Sequence, residues 1–320
     1  MKFNYKNGEV FAMVEVLLLG TGATRPLPHR ALAAMWLQVG GRGVLFDCGE
    51  GTQVSAQRYG ASLYKLDTLL LTHYHGDHLF GLPGLLQSMA ALGRTEPVTV
   101  AGPPGLDEIL DSVLALAGPL PFALCRHTFP DCRGTLALPE GAVVTAFPAD
   151  HRAPCCLYAY TLPRAGRFDP GKARALGIPV RLWRTLQEGQ PAGGFTPDQV
   201  LGPARRGLRI LYATDTGPTP ELTERARGAD LLCMDATYAD ETDTPKARLY
   251  GHATCGEAGA LAAEAGVRRL WLTHYSAAVT DPEPGLAAAR ALYPGAEAGF
   301  DGKRLTLTFD DSEPPRKDTP

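Results

Sequence analysis

Short apolar runs bounded by glycine, proline or polar residues dominate the hydrophobic pattern of the chain. They fall at 14–19, 33–39, 44–46, 66–71, 98–101, 143–147, 157–162, 208–212, 231–234, 269–272 and 305–309, and their length and flanks predict buried strands. Between them, helices are predicted from Gly51 or Thr52 to Tyr59, and over 82–92, 105–117, 221–227, 255–265 and 284–292. Strands that alternate with helices in this way predict a layered α/β protein.

Several of these strands run straight into residues that bind metal. The run at 66–71, polar only at Asp67 and Thr68, empties into Thr72-His73-Tyr74-His75-Gly76-Asp77-His78. In extended chain His73 and His75 point the same way, and a tight turn at Gly76 brings Asp77 and His78 round to a second point. A polar surface turn would not gather three of the chain's eight histidines behind a buried strand. The strand at 143–147 delivers Asp150 and His151, that at 208–212 leads to Asp215, and that at 269–272 ends in Thr273-His274-Tyr275. Leu272-Thr273-His274-Tyr275 repeats Leu71-Thr72-His73-Tyr74, which suggests two similar halves facing a shared site. Asp47 also sits at a strand end, where it either orients a ligand histidine or caps a helix. His29 and His127 lack such placement and are read as non-ligands. Gly20-Thr21-Gly22 is read as a tight turn rather than a dinucleotide loop, since Pro26 and Pro28 interrupt any helix after it.

Collected, the candidates are His73, His75 and His151 for one metal ion and Asp77, His78 and His274 for another, with Asp215 between them as a carboxylate able to bridge. Imidazole and carboxylate without thiolate suit zinc or manganese. Two such ions lower the pKa of a shared water and clamp the oxygens of a phosphoryl centre, which points to hydrolysis.

Composition narrows the setting. With 320 residues and 45% hydrophobic content the chain can bury a large core, while 36 glycines and 27 prolines predict much irregular loop. Its seven cysteines show no Cys-x-x-Cys pair and follow no signal-peptide pattern, so reduced thiols in a cytoplasm are expected. No apolar run approaches the roughly 18 residues of a membrane span, so a soluble protein without a membrane partner is expected. Residues 1–12 hold both asparagines of the chain and two of its few lysines and look foreign to the rest; they are read as a disordered extension, with the functional chain beginning near Met13. One domain is expected over 13–311, with 164–206 inserted as an arm and a disordered tail over 312–320.

The formal charge of −3 announces no nucleic-acid partner, but its distribution is uneven. Between 164 and 184, Arg164, Arg167, Lys172, Arg174, Arg181 and Arg184 face a single acid, Asp169. Such a segment is either a solvated excursion or an arm that grips a phosphate backbone.

The loop His73-x-His75-x-Asp77-His78 with the later ligands resembles the metallo-β-lactamase superfamily. Gly20-Thr21-Gly22, Phe46-Asp47-Cys48-Gly49-Glu50-Gly51-Thr52-Gln53, Gly81-Leu82-Pro83-Gly84-Leu85, Leu176-Gly177-Ile178-Pro179 and Leu272-Thr273-His274-Tyr275-Ser276 are similar more narrowly to ribonuclease Z, the transfer-RNA 3′-processing endonucleases. The resemblance runs from about Val14 to Phe309. It implies a four-layer αββα sandwich, a homodimer, two zinc ions, precursor tRNA as substrate and an arm that holds the tRNA body. It also implies that Asp77 binds metal and helps take the proton from the attacking water. His252 would protonate the leaving oxygen, and Asp235 would orient it.

The chain departs from the family at several positions. A Glu becomes Asp235, shortening the acid by a methylene or about 1.5 Å; Gly-Pro becomes Arg181-Leu182; Asp-Thr-Arg becomes Asp215-Thr216-Gly217; and Ser-x-Arg-Tyr becomes Ser276-Ala277-Ala278-Val279. Arg181 and Arg184 are the candidates to supply the cations lost. Two other readings stay open. One is an enzyme of the same fold acting on small phosphodiesters or sulfate esters, which has no need of a long basic excursion. The other is a catalytically silent RNA-binding member, which has no need of a complete ligand set.

Overall fold

The computed structural model describes residues 4–6, 9–11 and 13–310. Two seven-stranded sheets pack face to face. In the first, the strands follow the order Arg304–Thr308, Met13–Gly20, Ala34–Val39, Arg42–Phe46, Leu66–Leu70, Val98–Gly102 and Leu124–Thr128. In the second the order is Ala296–Ala298, Leu270–Thr273, Leu231–Asp235, Arg205–Ala213, Cys156–Arg164, Val143–Pro148 and Gly134–Ala137. Each sheet is part antiparallel, from hairpin connections, and part parallel, from strands joined through helices.

The alternation of each strand decides what lies where. Val14, Val16, Leu18, Met35 and Leu37 of the first sheet meet Tyr158, Tyr160, Ile210, Tyr212 and Trp271 of the second in a core between the sheets. The opposite face of the first sheet is covered by the helices Thr52–Tyr59, Leu82–Ala91 and Leu106–Ala117. Pro220–Ala226, Cys255–Ala265 and Glu283–Leu292 cover the second. This is the expected αββα sandwich.

Four features differ from the sequence reading. The last strand, Arg304–Thr308, completes the first sheet rather than the second half, pairing antiparallel with Met13–Gly20 and turning Leu305 and Leu307 onto the central core. The strands Leu124–Thr128, polar at Arg126, His127 and Thr128, and Gly134–Ala137, only four residues long and mostly exposed, give no burial signal and lie at the outer edges of their sheets. The segment 164–206 holds two helices, Pro170–Ala175 and Val180–Gln187, around a small core of Ala173, Ile178, Leu186 and Val200. Ile178, Leu182 and Leu186 do recur at helical spacing there, but flanking prolines and glycines masked it. A further helix, Thr244–Tyr250, begins with Pro at its first turn and carries one buried residue, Ala247, so it has no apolar stripe to reveal it.

Within 1–12, Asn4–Lys6 and Glu9–Phe11 pair antiparallel. The expected tail at 312–320 lies outside the described residues. No helix among those described is long and apolar enough to cross a membrane.

The loop after Arg42–Phe46 and the turn carrying Asp77 lie backbone on backbone. Cys48 N–H donates to the His78 carbonyl at 2.8 Å, and Gly81 N–H to the Cys48 carbonyl at 2.9 Å. A Cβ at Gly81 would come within 1.9 Å of the Gly49 carbonyl oxygen. Gly81→Ala is therefore expected to cost at least about 1–3 kcal/mol in urea unfolding, since neither backbone can yield without moving the Asp77 turn. An unchanged unfolding midpoint would show that the approach is not tight.

Candidate metal and catalytic site

The candidate residues gather where strands of both sheets end. Asp47 follows Arg42–Phe46, Asp215 follows Arg205–Ala213, Asp235 is the last residue of Leu231–Asp235, and His274 follows Leu270–Thr273. Asp47, Asp215 and His274 are all left-handed, with φ of 60°, 55° and 63°. That conformation costs an L-residue on the order of 1–2 kcal/mol, and three in one cluster mark the site as held by its hydrogen bonds.

Two groups of donor atoms converge. His73, His75 and His151 form one, with His73 Nε2 2.8 Å from His75 Nδ1 and His151 Nε2 3.5 Å from the same atom. Asp77, His78 and His274 form the other, with the two Nε2 atoms 3.3 Å apart and Asp77 Oδ2 3.6 and 3.8 Å from them. Asp215 faces both, its Oδ1 3.9 Å from His73 Nε2 and its Oδ2 3.1 Å from the Nε2 atoms of His78 and His274. Asp215 Oδ2 is buried yet meets neither imidazole in hydrogen-bonding geometry, so it has no hydrogen-bond partner. A buried carboxylate oxygen left bare among imidazole nitrogens fits a cation, and the donor set suits zinc or manganese. His29 and His127 lie outside these groups.

Two further carboxylates, fully buried, hold the imidazoles from behind. Asp47 Oδ2 accepts from His78 Nδ1 at 2.8 Å, and Oδ1 accepts from the Thr72 N–H at 2.8 Å, so Asp47 orients a histidine and caps no helix. The helix Thr52–Tyr59 is instead entered through left-handed Gly51. His151 Nδ1 donates to the Gly251 carbonyl at 3.1 Å, which leaves its Nε2 facing the cluster. Asp235 accepts from the backbone N–H groups of Asp215, Thr237 and Ala253 at 3.0, 2.9 and 3.1 Å and from His252 Nδ1 at 2.9 Å. The shortened acid therefore still reaches His252.

The charges are strongly coupled. Burial and the neighbouring His78 ring hold His73 well below its ordinary pKa, against the pull of Asp215. Burial also opposes a proton on His78 and His274, but Asp215 and Asp47 raise His78 well above its ordinary value, and Asp215, Asp235 and Asp77 push His274 up to about 10. Burial alone would raise Asp77 and Asp215, yet the same imidazoles carry both carboxyls below the usual range. A divalent ion would take the place of these protons. At His252 burial opposes charge and Asp235 outweighs it, so this ring too is raised.

The site forms the floor of an open cleft of about 1040 Å³. Its walls include side chains that the sequence did not single out: Arg25, Phe80, Arg152, Tyr238, Lys246 and Tyr250. Arg152 and Lys246 sit over the rings of Tyr250 and Tyr238, at 5.2 and 5.0 Å from the centroids. Helical spacing places Lys246 and Tyr250 on one face of Thr244–Tyr250, a signal hidden in the sequence because that helix carries no apolar stripe. Thr237 Oγ1 lies 3.2 and 3.0 Å from the Nδ1 atoms of His252 and His274.

The six basic residues at 164–184 are not in this cleft. Arg164 is buried, with its guanidinium 4.8 Å from the centre of the Phe309 ring. Arg167, Lys172, Arg174, Arg181 and Arg184 are exposed, with Arg174 over Trp183 and Arg184 paired to Glu188 at 2.9 Å. Neither Arg181 nor Arg184 supplies a cation at the metal cluster. The space beyond Gly217 is taken by another guanidinium, since a Cβ there would lie 2.6 Å from Arg248 Nη1; Arg248 pairs with Glu257 at 2.7 Å.

Asp47→Asn keeps an acceptor for the Thr72 N–H but weakens the hold on His78. Competition with a chelator should show metal affinity lowered about 10–100-fold. Affinity equal to wild type would remove Asp47 from the metal centre.

Comparison with known proteins agrees with the geometry. Residues 42–275 match the Beta-lactamase superfamily domain. Ribonuclease Z of Lachnoclostridium phytofermentans is 41% identical over 94% of this chain and 100% of its own length, and Ribonuclease Z of Lachnospira eligens is 38% identical over 93% and 99%. Among solved structures, the short form of human tRNase Z superposes with a TM-score of 0.66 at 24% identity, over 91% of this chain and 98% of that one. The chain belongs to the ribonuclease Z family of the beta-lactamase superfamily.

Proposed function

We propose that the chain is a metal-dependent endoribonuclease that removes the 3′ trailer from precursor tRNA. The observation that carries this reading is the pair of three-donor clusters joined by Asp215 on the floor of an open cleft, in a chain 41% identical to a protein named Ribonuclease Z. Two cations held by His73, His75 and His151 and by Asp77, His78 and His274, with Asp215 between, would acidify a water toward neutral pH and neutralise phosphoryl oxygens; we assign zinc, and manganese suits the same donors.

The chain's own groups handle the protons. Asp77 Oδ2 accepts from the Thr24 N–H at 2.7 Å, which fixes a carboxylate that takes the proton of the attacking water. His252 gives its proton to the departing 3′ oxygen. Asp235, 2.9 Å away, keeps that ring charged. The bond from phosphorus to the 3′ oxygen breaks, leaving a 3′-hydroxyl on the tRNA body and the phosphate on the trailer.

The exposed Arg167, Lys172, Arg174, Arg181 and Arg184 would hold the tRNA body, with Arg164 supporting the base of the arm from beneath Phe309. We read 13–311 as one domain with 164–206 inserted. Seven free cysteines suit a cytoplasm. A homodimer rests on the family resemblance, and light scattering at the mass of a single chain would refute it.

Incubation with a precursor tRNA and mapping of the product ends tests the reading. Cleavage at the end of the tRNA body with a 3′-hydroxyl is expected, and no cleavage by metal-loaded protein sinks it. Asp77→Ala should lose metal and activity together. His252→Ala should keep both metals and slow turnover by about 10²–10⁴-fold, as measured by metal content beside rate. Because His252 must be protonated to act, the rate should fall as pH rises through its raised pKa. Asp235→Asn removes the charge that raises it, and should move that alkaline limb to lower pH; an unmoved limb would place the proton donor elsewhere.

A further inference from the structure

Phosphates on either side of a scissile bond each carry a charge, and the residues at the metal cluster add carboxylates rather than cations. The turn Asp215-Thr216-Gly217 offers no cation, and Arg248, which fills the space beyond it, is bound to Glu257. The exposed basic residues of 164–184 lie outside the cleft. The cations that do line it include Arg152 and Lys246, each poised over a tyrosine.

These two pairs share one wall. Lys246 and Tyr250 come from the helix Thr244–Tyr250, Tyr238 from the loop after Leu231–Asp235, and Arg152 from the residue after His151. Lys246 Nζ lies 5.0 Å from the centre of the Tyr238 ring, and the Arg152 guanidinium carbon 5.2 Å from that of Tyr250. Tyr238 in turn meets the His252 ring edge to face at 6.3 Å, so the wall begins beside the group that protonates the leaving oxygen. Among the described residues no carboxylate pairs with either cation. Both remain exposed, and an aromatic seat restricts a long cationic side chain before any ligand arrives.

We propose that Lys246 and Arg152, seated on Tyr238 and Tyr250, are the ligands for the backbone phosphates of the unpaired RNA strand next to the scissile bond. The proposal rests on the RNA-cleaving reading above and adds a phosphate grip at the cleft, separate from the basic arm. Lysine serves as a point charge and arginine as a fork; each neutralises one phosphate and displaces its counterion. Tyr238 and Tyr250 are positioning residues.

Salt dependence separates this role from a structural one. For the metal-loaded enzyme, log kcat/KM on a precursor tRNA is measured against log potassium chloride concentration for wild type and for Arg152→Gln/Lys246→Gln. Each single-strand phosphate contact contributes about 0.7 to the slope, so the double variant should be shallower by about 1.4 and slower by about tenfold or more at low salt. Should the double variant fold poorly by thermal melting, Lys246→Gln alone should lower the slope by about 0.7, and Lys246→Arg should restore it. A folded variant with the wild-type slope overturns the proposal and leaves the enzyme reading intact. If the wild type hydrolyses bis(p-nitrophenyl) phosphate but cuts no precursor tRNA, the RNA reading fails first, and this proposal fails with it.

Discussion

The carboxylate of Asp235 is the constraint on which the site depends. It is fully buried, and it binds the backbone N–H groups of Asp215, Thr237 and Ala253 while holding His252 Nδ1. Three loops from three separate strands or helices are thereby tied to one anion. Burying a carboxylate is costly unless its lone pairs are filled, and here backbone donors and an imidazole fill them. Burial alone would raise its pKa, but the His252 and His274 rings carry it below the usual carboxylate range. The arrangement fixes Asp215 in its left-handed turn, where it faces both donor clusters.

Asp47 plays the matching part in the other sheet. It ties the strand Arg42–Phe46 to the loop after Leu66–Leu70 through the Thr72 N–H, and to the Asp77 turn through His78. The two sheets each contribute one buried acid that is not a donor to either three-ligand group: Asp47 orients the donor His78, and Asp235 holds His252 and lies 3.3 Å from Nδ1 of the donor His274. Such orientation sets which ring nitrogen faces the cluster, because the other is already committed to hydrogen bonding. It also explains why left-handed residues are tolerated at the strand ends: each is held by bonds that would be lost if the turn relaxed.

Much of this was legible in the sequence because strand ends are simple to read. An apolar run too short for a helix, followed at once by His or Asp, gives both the element and the direction in which its last residue emerges. His73 and His274 emerge in this way, and His75, Asp77 and His78 follow in the loop beyond the same strand as His73. His151 and Asp215 come a short turn after theirs, while His29 and His127 follow no such strand. What stayed hidden had physical reasons. The helix Thr244–Tyr250 is amphipathic in no recognisable sense, since it packs through Ala247 and turns polar and aromatic residues to the cleft. Asp47 could have been a cap, because orienting acids and capping acids are the same residue type at the same kind of position. Arg164 shared its charge pattern with exposed neighbours but lies at the end of a strand whose alternation turns it inward onto Phe309.

The same distinction bears on how charge is used. Arginines in a sequence-local cluster are easily read as a nucleic-acid grip, yet burial removes one of them and pairing engages Arg184 with Glu188. Cations brought to the cleft by separate elements leave no local signature. Lys246 and Arg152 are nearly a hundred positions apart and become neighbours of one site only because the loop after Val143–Pro148 and the helix Thr244–Tyr250 meet there, with Gly251 so close to His151 that a Cβ would strike its backbone at 2.8 Å. That close approach also lets the Gly251 carbonyl accept from His151. One contact thus orients a candidate ligand and brings Arg152 over Tyr250, coupling the metal cluster to the wall beside it.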